Sequence, residues 1–318
     1  MTTPLLQVSG LKKHFASGRA GAAPVRAVDD VSFQIAEGET LGLVGESGCG
    51  KSTTGRSVLR LIEPTAGSVK FMGQEISALP SRPLRAMRRH MQMVFQDPFA
   101  SLNPRMTIGE VLEEPLIVHG LFDRLTRKRK VAEILDVVGL SQAYAGRHPH
   151  EFSGGQRQRV GIARAIITRP KLVVADEAVS ALDVSIQAQI LNLLQQLQKE
   201  FGLTYLFVSH DLAVIRHVSN SIGVMYLGRM VEYGSCESIY NAPKHPYTQA
   251  LLSAIPREHP DQVRKRIVLK GSIPNPASPP AGCHFHPRCA SCMEVCKTDT
   301  PPRVETAPGE YVACHLYR

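Results

Sequence analysis

The chain has 318 residues, 43% hydrophobic and 20% charged, a balance that excludes both a disordered polyelectrolyte and a fibrous repeat. No stretch approaches the roughly 18 uninterrupted apolar residues of a membrane-spanning helix. The first residues, Met1 to Gly10, lack a charged-then-apolar leader, so the chain is expected to stay in the cytosol. The formal charge of +9 attracts polyanions, whether nucleic acid, anionic lipid or nucleotide phosphates. Its densest basic stretches, 82–89 and 124–130, fall in segments of helical pattern, where a charge run is usually a solvated face, and nucleic-acid binding is not expected there.

In chain order, residues 31–35 and 41–44 read as short apolar strands, followed by a helical pattern over 52–62 that carries Val58, Leu59, Leu61 and Ile62. The strand signal returns at 91–95, at 172–175 before a helical stretch at 184–201, and at 204–208 before another at 212–218. Such alternation predicts an α/β fold with a largely parallel sheet flanked by helices. Between residues 104 and 146 the strand signal disappears, and helical periodicity over 108–119 and 128–138 predicts an inserted helical subdomain. From about Pro243 the composition shifts, and Pro274, Pro276, Pro279 and Pro280 mark a linker-like stretch.

Between the strand at 41–44 and the helix at 52–62 lies the run Gly45, Glu46, Ser47, Gly48, Cys49, Gly50, Lys51, Ser52, the phosphate-loop pattern in the context that gives it a mechanism. Its glycines let backbone N–H groups converge on phosphate oxygens at a helix N-terminus. Lys51 adds a positive charge for the β- and γ-phosphates, and the Ser52 hydroxyl is suited to magnesium. Residues 172–175 form a buried-strand run that ends in Asp176 and Glu177. Asp176 is placed to hold the water shell of magnesium, and Glu177 to polarise the attacking water; alone, two such acids would more often be a solvated strand end. Ser153, Gly154, Gly155 and Gln156 precede a helical stretch at 158–168 and form a second anion-ready terminus, suited to a second nucleotide, although a Ser-Gly-Gly turn by itself is more often a plain cap.

These motifs, with Gln96, the segment Ser180, Ala181, Leu182, Asp183, and His210, occur in the order used by ABC ATPases, and the chain resembles that family over essentially its whole length. The resemblance implies a P-loop NTPase core with an antiparallel β subdomain and a helical insert at about 97–165, all within an ATPase domain at 1–255. It also implies a head-to-tail cassette dimer binding ATP and Mg2+, each nucleotide held between one loop (residues 45–53, ending in Thr53) and the other chain's Ser153–Gln156 signature. Phe15 would stack on adenine, Gln96 would sense the γ-phosphate and magnesium, His210 would contact the γ-phosphate, and Asp183 would communicate across the dimer. Two departures are visible: Phe152 stands where the family usually has leucine, and Ala178 where a proline often follows the acidic pair. Neither removes a catalytic functional group.

Three further stretches, at 96–105, 244–256 and from Gly282 to Cys289, resemble the oligopeptide and dipeptide importers. That family implies a related second ATPase or a homodimer, two transmembrane permeases, an extracytoplasmic peptide-binding protein, and a place on the cytoplasmic face of the membrane. A soluble ABC ATPase acting on nucleic acid or ribosomes is the alternative, favoured only by the basic charge. Of seven cysteines, Cys283, Cys289, Cys292, Cys296 and Cys314 crowd a Pro/Cys-rich tail at 256–318. Taking Cys283, Cys289, Cys296 and Cys314, with Cys292 spare, gives a C-x5-C-x6-C-x17-C spacing. Ligation by four thiolates suits structural zinc or a 4Fe-4S cluster, and the resemblance implies the cluster.

Overall fold

The computed structural model describes residues 4–16, 23–255 and 266–318. The chain divides into two compact units, one made of residues 1–36, Thr40–Ser77 and Ser209–Arg318, the other of Glu37–Glu39 and Ala78–Val208.

In the first unit an antiparallel sheet has the strand order Val25–Ile35, Leu6–Phe15, Ala66–Phe71, Gln74–Glu75. Leu6 faces Ile35 and Phe71 across the two ladders. Leu6 and Val8 are buried while Gln7 between them is exposed, the period-two alternation of a sheet with one wet face. A second set of strands runs Val304–Ala307, Glu310–Val312, Arg229–Ser235, Ser221–Tyr226, Thr40–Val44. Its last pair is parallel, with Val44 beside Val224, and the others are antiparallel. The tail thus supplies an edge hairpin, in which Tyr311 stacks on Tyr233 with centroids 5.7 Å apart. Every residue of Thr40–Val44 is buried, as a strand covered on both faces requires. Helix Leu212–Val218 covers it because Gly42 has no side chain: a Cβ there would lie 2.6 Å from Ile215.

The second unit carries three parallel strands in the order Met91–Val94, Leu172–Asp176, Thr204–Val208, with Val94 beside Ala175 and Asp176 beside Val208. Helix Val184–Phe201 buries Ile190, Leu191, Leu194 and Leu197, the three-and-four spacing of an amphipathic helix, and ends at Gly202 in the left-handed conformation. The described residues between 98 and 166 contain α and 3-10 helices and no strand. Their starts are capped: Asp97 accepts from Phe99 and Ala100 N–H, Thr107 forms a capping box with Glu110, and Asp123 accepts from Thr126 N–H. Each such cap contributes about 1 kcal/mol.

Several boundaries differ from the sequence reading. The strand expected at 31–35 begins at Val25. The helix expected over 52–62 stops at Val58, and Arg60 turns to a positive φ of 50°. The helix expected from 158 starts at Gly154, because a capping box outweighs the poor helix propensity of two glycines.

Candidate nucleotide site

In the first unit, strand Thr40–Val44 delivers the chain into the loop at residues 45–50, and helix Lys51–Val58 leaves it. Two glycines are required by space as well as by backbone angle. Gly45 has φ 151° and Gly50 φ 104°. A Cβ at the former would lie 2.2 Å from the Met225 carbonyl oxygen, and at the latter 2.1 Å from that of Ala27. The loop therefore wraps against the backbone of Ser221–Tyr226 and of Val25–Ile35.

Lys51 is only 4% exposed, and its Nζ donates to the Gly45 carbonyl at 2.8 Å and the Glu46 carbonyl at 3.1 Å. The ammonium is thus held across the mouth of the loop, its charge solvated by backbone oxygens. Ser47 and Gly48 form the exposed tip, while Ser52 and Thr53 are half-buried on the first helical turn. Cys49 is buried beneath the loop, and burial pushes its thiol pKa up. Phe15 ends its strand 38% exposed, with Lys13 Nζ 5.0 Å from its ring centre. His210 is exposed and follows Ser209, whose N–H donates to the Leu43 carbonyl at 3.1 Å; Asp211 caps the helix behind it. Within this unit the structure therefore ties His210's segment to the strand that feeds the loop.

Sequence reasoning did not identify two further residues at this loop. Tyr247 hydroxyl accepts the Glu46 N–H at 2.8 Å, and Arg288 pairs with the Glu46 carboxylate at 2.6 Å. Both lie in stretches noticed only as marks of the importer resemblance, and their distance along the chain left no local signal.

In the second unit, Asp176 closes its strand at 1% exposure. Glu177 follows with φ 47°, a left-handed conformation that costs a non-glycine residue about 1–2 kcal/mol. Hydrogen bonds hold it there: its N–H donates to the Val208 carbonyl at 2.9 Å, and its own carbonyl accepts from the Ser180 hydroxyl at 3.0 Å. Gln96 Nε2 donates to Glu177 Oε2 at 2.8 Å, so these two expected site residues are brought together.

Ser153 and Gln156 form a reciprocal capping box: Ser153 Oγ accepts from Gln156 N–H at 3.3 Å, and Gln156 Oε1 accepts from Ser153 N–H at 3.0 Å. Gly155 lies against Ile186, where a Cβ would come within 2.7 Å. Asp183 is exposed at the N-cap of helix Val184–Phe201. The unusual Phe152 is buried and meets Tyr144 edge-on at 5.4 Å, so the larger ring has a packed place.

The tail cysteines do not meet the expectation of a metal centre. Among the described residues no group of three or more His, Cys, Asp or Glu is placed to hold a metal ion. Cys283, Cys289, Cys292, Cys296 and Cys314 are free thiols. Burial pushes Cys283 up to about 11 and raises Cys289 and Cys314 as well. The geometry gives the 4Fe-4S cluster and the zinc alternative no support.

Residues 28–180 match the ABC transporter family and residues 231–296 the oligopeptide/dipeptide transporter C-terminal region. The oligopeptide transport ATP-binding protein AppF of Bacillus subtilis (strain 168) is 54% identical, with 98% of this chain and 97% of AppF aligned. A dimeric ATP-binding cassette, MJ0796, in a post-hydrolysis state with ADP and Pi is 31% identical at a TM-score of 0.66, covering 73% of this chain and 98% of that one. The cbiO1 structure from Clostridium perfringens, 24% identical over 75% of this chain and 91% of its own at a TM-score of 0.67, shares the fold. These relatives lend no support to the nucleic-acid or ribosome alternative. No described helix is long and apolar enough to cross a membrane. The phosphate loop between a buried strand and a helix, on a chain more than half identical to AppF end to end, places this protein in the family of ABC ATPases that serve as ATP-binding subunits of oligopeptide importers.

Proposed function

We propose that this chain binds and hydrolyses ATP to power uptake of oligopeptides or dipeptides across the cytoplasmic membrane, working at that membrane's cytoplasmic face. The observation that carries the reading is the loop at residues 45–50 with the Lys51 ammonium held over its carbonyl oxygens at 2.8 and 3.1 Å. Weak carbonyl acceptors in that position are readily exchanged for phosphate oxygens, which offer the ammonium a charge-assisted bond.

In this reading the loop at residues 45–53 cradles the phosphates, with Lys51 set against the β- and γ-phosphates and Phe15 against the adenine. Ser52, Gln96 and Asp176 would hold magnesium, which when bound would offset the negative charge of the β- and γ-phosphates. Glu177 orients the attacking water and accepts its proton, with Gln96 fixing the carboxylate. His210 contacts the γ-phosphate. Ser153, Gly154, Gly155 and Gln156 serve the nucleotide of a second cassette, to which Asp183 relays the state of the site.

The same reading assigns residues 1–255 to the ATPase domain, with an antiparallel β subdomain and a helical insert at about 97–165 that receives two permeases, and residues 256–318 to the importer-type tail. The partner cassette is a related ATPase or a second copy, and an extracytoplasmic binding protein delivers the peptide.

Co-purification from native membranes in mild detergent tests this. Two permeases, a second ATPase and a peptide-binding protein are expected with the chain. Recovery of only soluble partners or nucleic acid would leave the ATPase chemistry and remove the transport assignment.

A further inference from the structure

The phosphate loop is gripped from the far end of the chain. Arg288 Nη1 donates to Glu46 Oε2 at 2.6 Å and Nη2 to Glu46 Oε1 at 3.0 Å, a two-pronged pair that fixes orientation as well as charge. Arg288 is 7% exposed in its side chain and Glu46 26%, so the pair is partly shielded from water and salt. The Glu46 N–H, in turn, is taken up by the Tyr247 hydroxyl. The carboxylate and the N–H of the loop's second residue are therefore committed to residues outside the loop.

The tail is built to hold Arg288 in place. Phe285 is 1% exposed and meets Tyr226 at 5.1 Å and Tyr247 at 5.4 Å between ring centres. Such aromatic contacts anchor a segment beyond their buried area. Arg288 follows on the short turn His286–Arg288, its N–H bonded to the Phe285 carbonyl. Upstream, the Cys283 N–H donates to the Cys296 carbonyl at 2.9 Å, and Gly282, with φ 65°, leaves room for that same oxygen.

A loop that receives a polyphosphate gains from every donor and loses from every carboxylate nearby, since like charges a few ångströms apart repel with little screening where water is scarce. Glu46 is the acidic residue within 45–53. We propose that Arg288 is a positioning residue of the nucleotide site: by pairing with Glu46 it cancels the loop's own negative charge and fixes its second residue, so that the C-terminal tail sets the affinity for the polyphosphate. This inference rests on the reading of residues 45–53 as the nucleotide loop.

The test is binding of Mg-ADP to the full chain by isothermal titration calorimetry. Arg288→Met leaves the Glu46 carboxylate unpaired and weakens binding by on the order of tenfold, about 1.4 kcal/mol. Adding Glu46→Gln to that variant removes the stranded charge and restores most of the affinity, a rescue that a merely structural role for Arg288 does not produce. Arg288→Lys, a point charge without the fork, lies between. Arg288→Met binding like the parent, or a double variant as weak as the single one, would overturn the inference while leaving the nucleotide reading intact. Should Arg288→Met not fold, Glu46→Gln alone decides: it frees a cation beside the loop, so binding stays equal or tightens, and weaker binding overturns the proposal. A parent chain that does not bind Mg-ADP would overturn both.

Discussion

Gln96 and Glu177 are joined by a 2.8 Å hydrogen bond from carboxamide to carboxylate, connecting the second residue after strand Met91–Val94 to the first residue after strand Leu172–Asp176. Glu177 is simultaneously held in a left-handed backbone conformation. A carboxylate positioned at that cost, on an element with a defined partner, suits a group that must orient water.

Glu177→Gln should preserve shape and keep an oxygen to accept from Gln96, so ATP binding remains and hydrolysis falls by about 10²–10⁴-fold, the usual contribution of a general base. Single-turnover phosphate release, with nucleotide binding measured in parallel, checks this. Normal turnover in the variant would remove Glu177 from its assigned role.

Lys51→Ala should act on binding itself. The ammonium spans the Gly45 and Glu46 carbonyls, and without it phosphate charge is left uncompensated in the loop. ATP affinity is expected to drop by roughly 10-fold or more, equivalent to at least one lost charge-assisted contact of about 1.5–3 kcal/mol. Equilibrium titration decides, and an unchanged dissociation constant contradicts the placement.

Gly50→Ala puts a methyl group 2.1 Å from the Ala27 carbonyl oxygen at φ 104°. Clash and backbone strain together should cost about 3 kcal/mol or more in urea unfolding. Gly48→Ala, at φ 78° with open space around it, should cost only about 1–2 kcal/mol of backbone strain. Equal losses in the two variants would show that the close approach at Gly50 is absent.

His245 is buried at the cap of helix Pro246–Ser253, where its Nδ1 accepts the Tyr247 N–H at 3.1 Å, and burial lowers its pKa to about 3. The folded pKa lies below the unfolded value, so the unfolded chain binds the extra proton, and stability present above about pH 6.5 is lost as pH falls toward 3. The adjacent Glu232, which accepts the His245 N–H, has a pKa raised by burial. It therefore acts in the opposite sense, favouring the fold at low pH and losing that contribution as pH rises past 4.5. Comparing variant with parent separates the two: His245→Asn keeps a capping acceptor and should flatten the acid slope between pH 6 and 4 by up to about 1.4 kcal/mol per pH unit. Superimposable pH profiles would mean that His245 titrates as an exposed imidazole.

Much of the site was legible along the chain because its determinants are local. The phosphate loop is signalled by glycine spacing between a buried strand and a helix, and Asp176 and Glu177 by an apolar strand run that ends in acids. Even the signature stretch was located, although its helix start was misplaced by four residues: glycines at 154 and 155 look unhelical until Ser153 and Gln156 close their capping box.

What local pattern determined, then, was the alternation of strands and helices and the place of the glycine-rich loop and the paired acids at strand ends, since backbone geometry and side-chain chemistry are set by near neighbours. Tertiary structure decided which distant groups hold those residues in place. Arg288 reaches Glu46 across 242 positions, Tyr247 across 201, and the tail cysteines, whose spacing suggested a shared metal, fold without forming one metal-holding group among the described residues. Such pairings depend on which surfaces are buried against each other, and burial is a property of the folded chain that spacing alone does not encode.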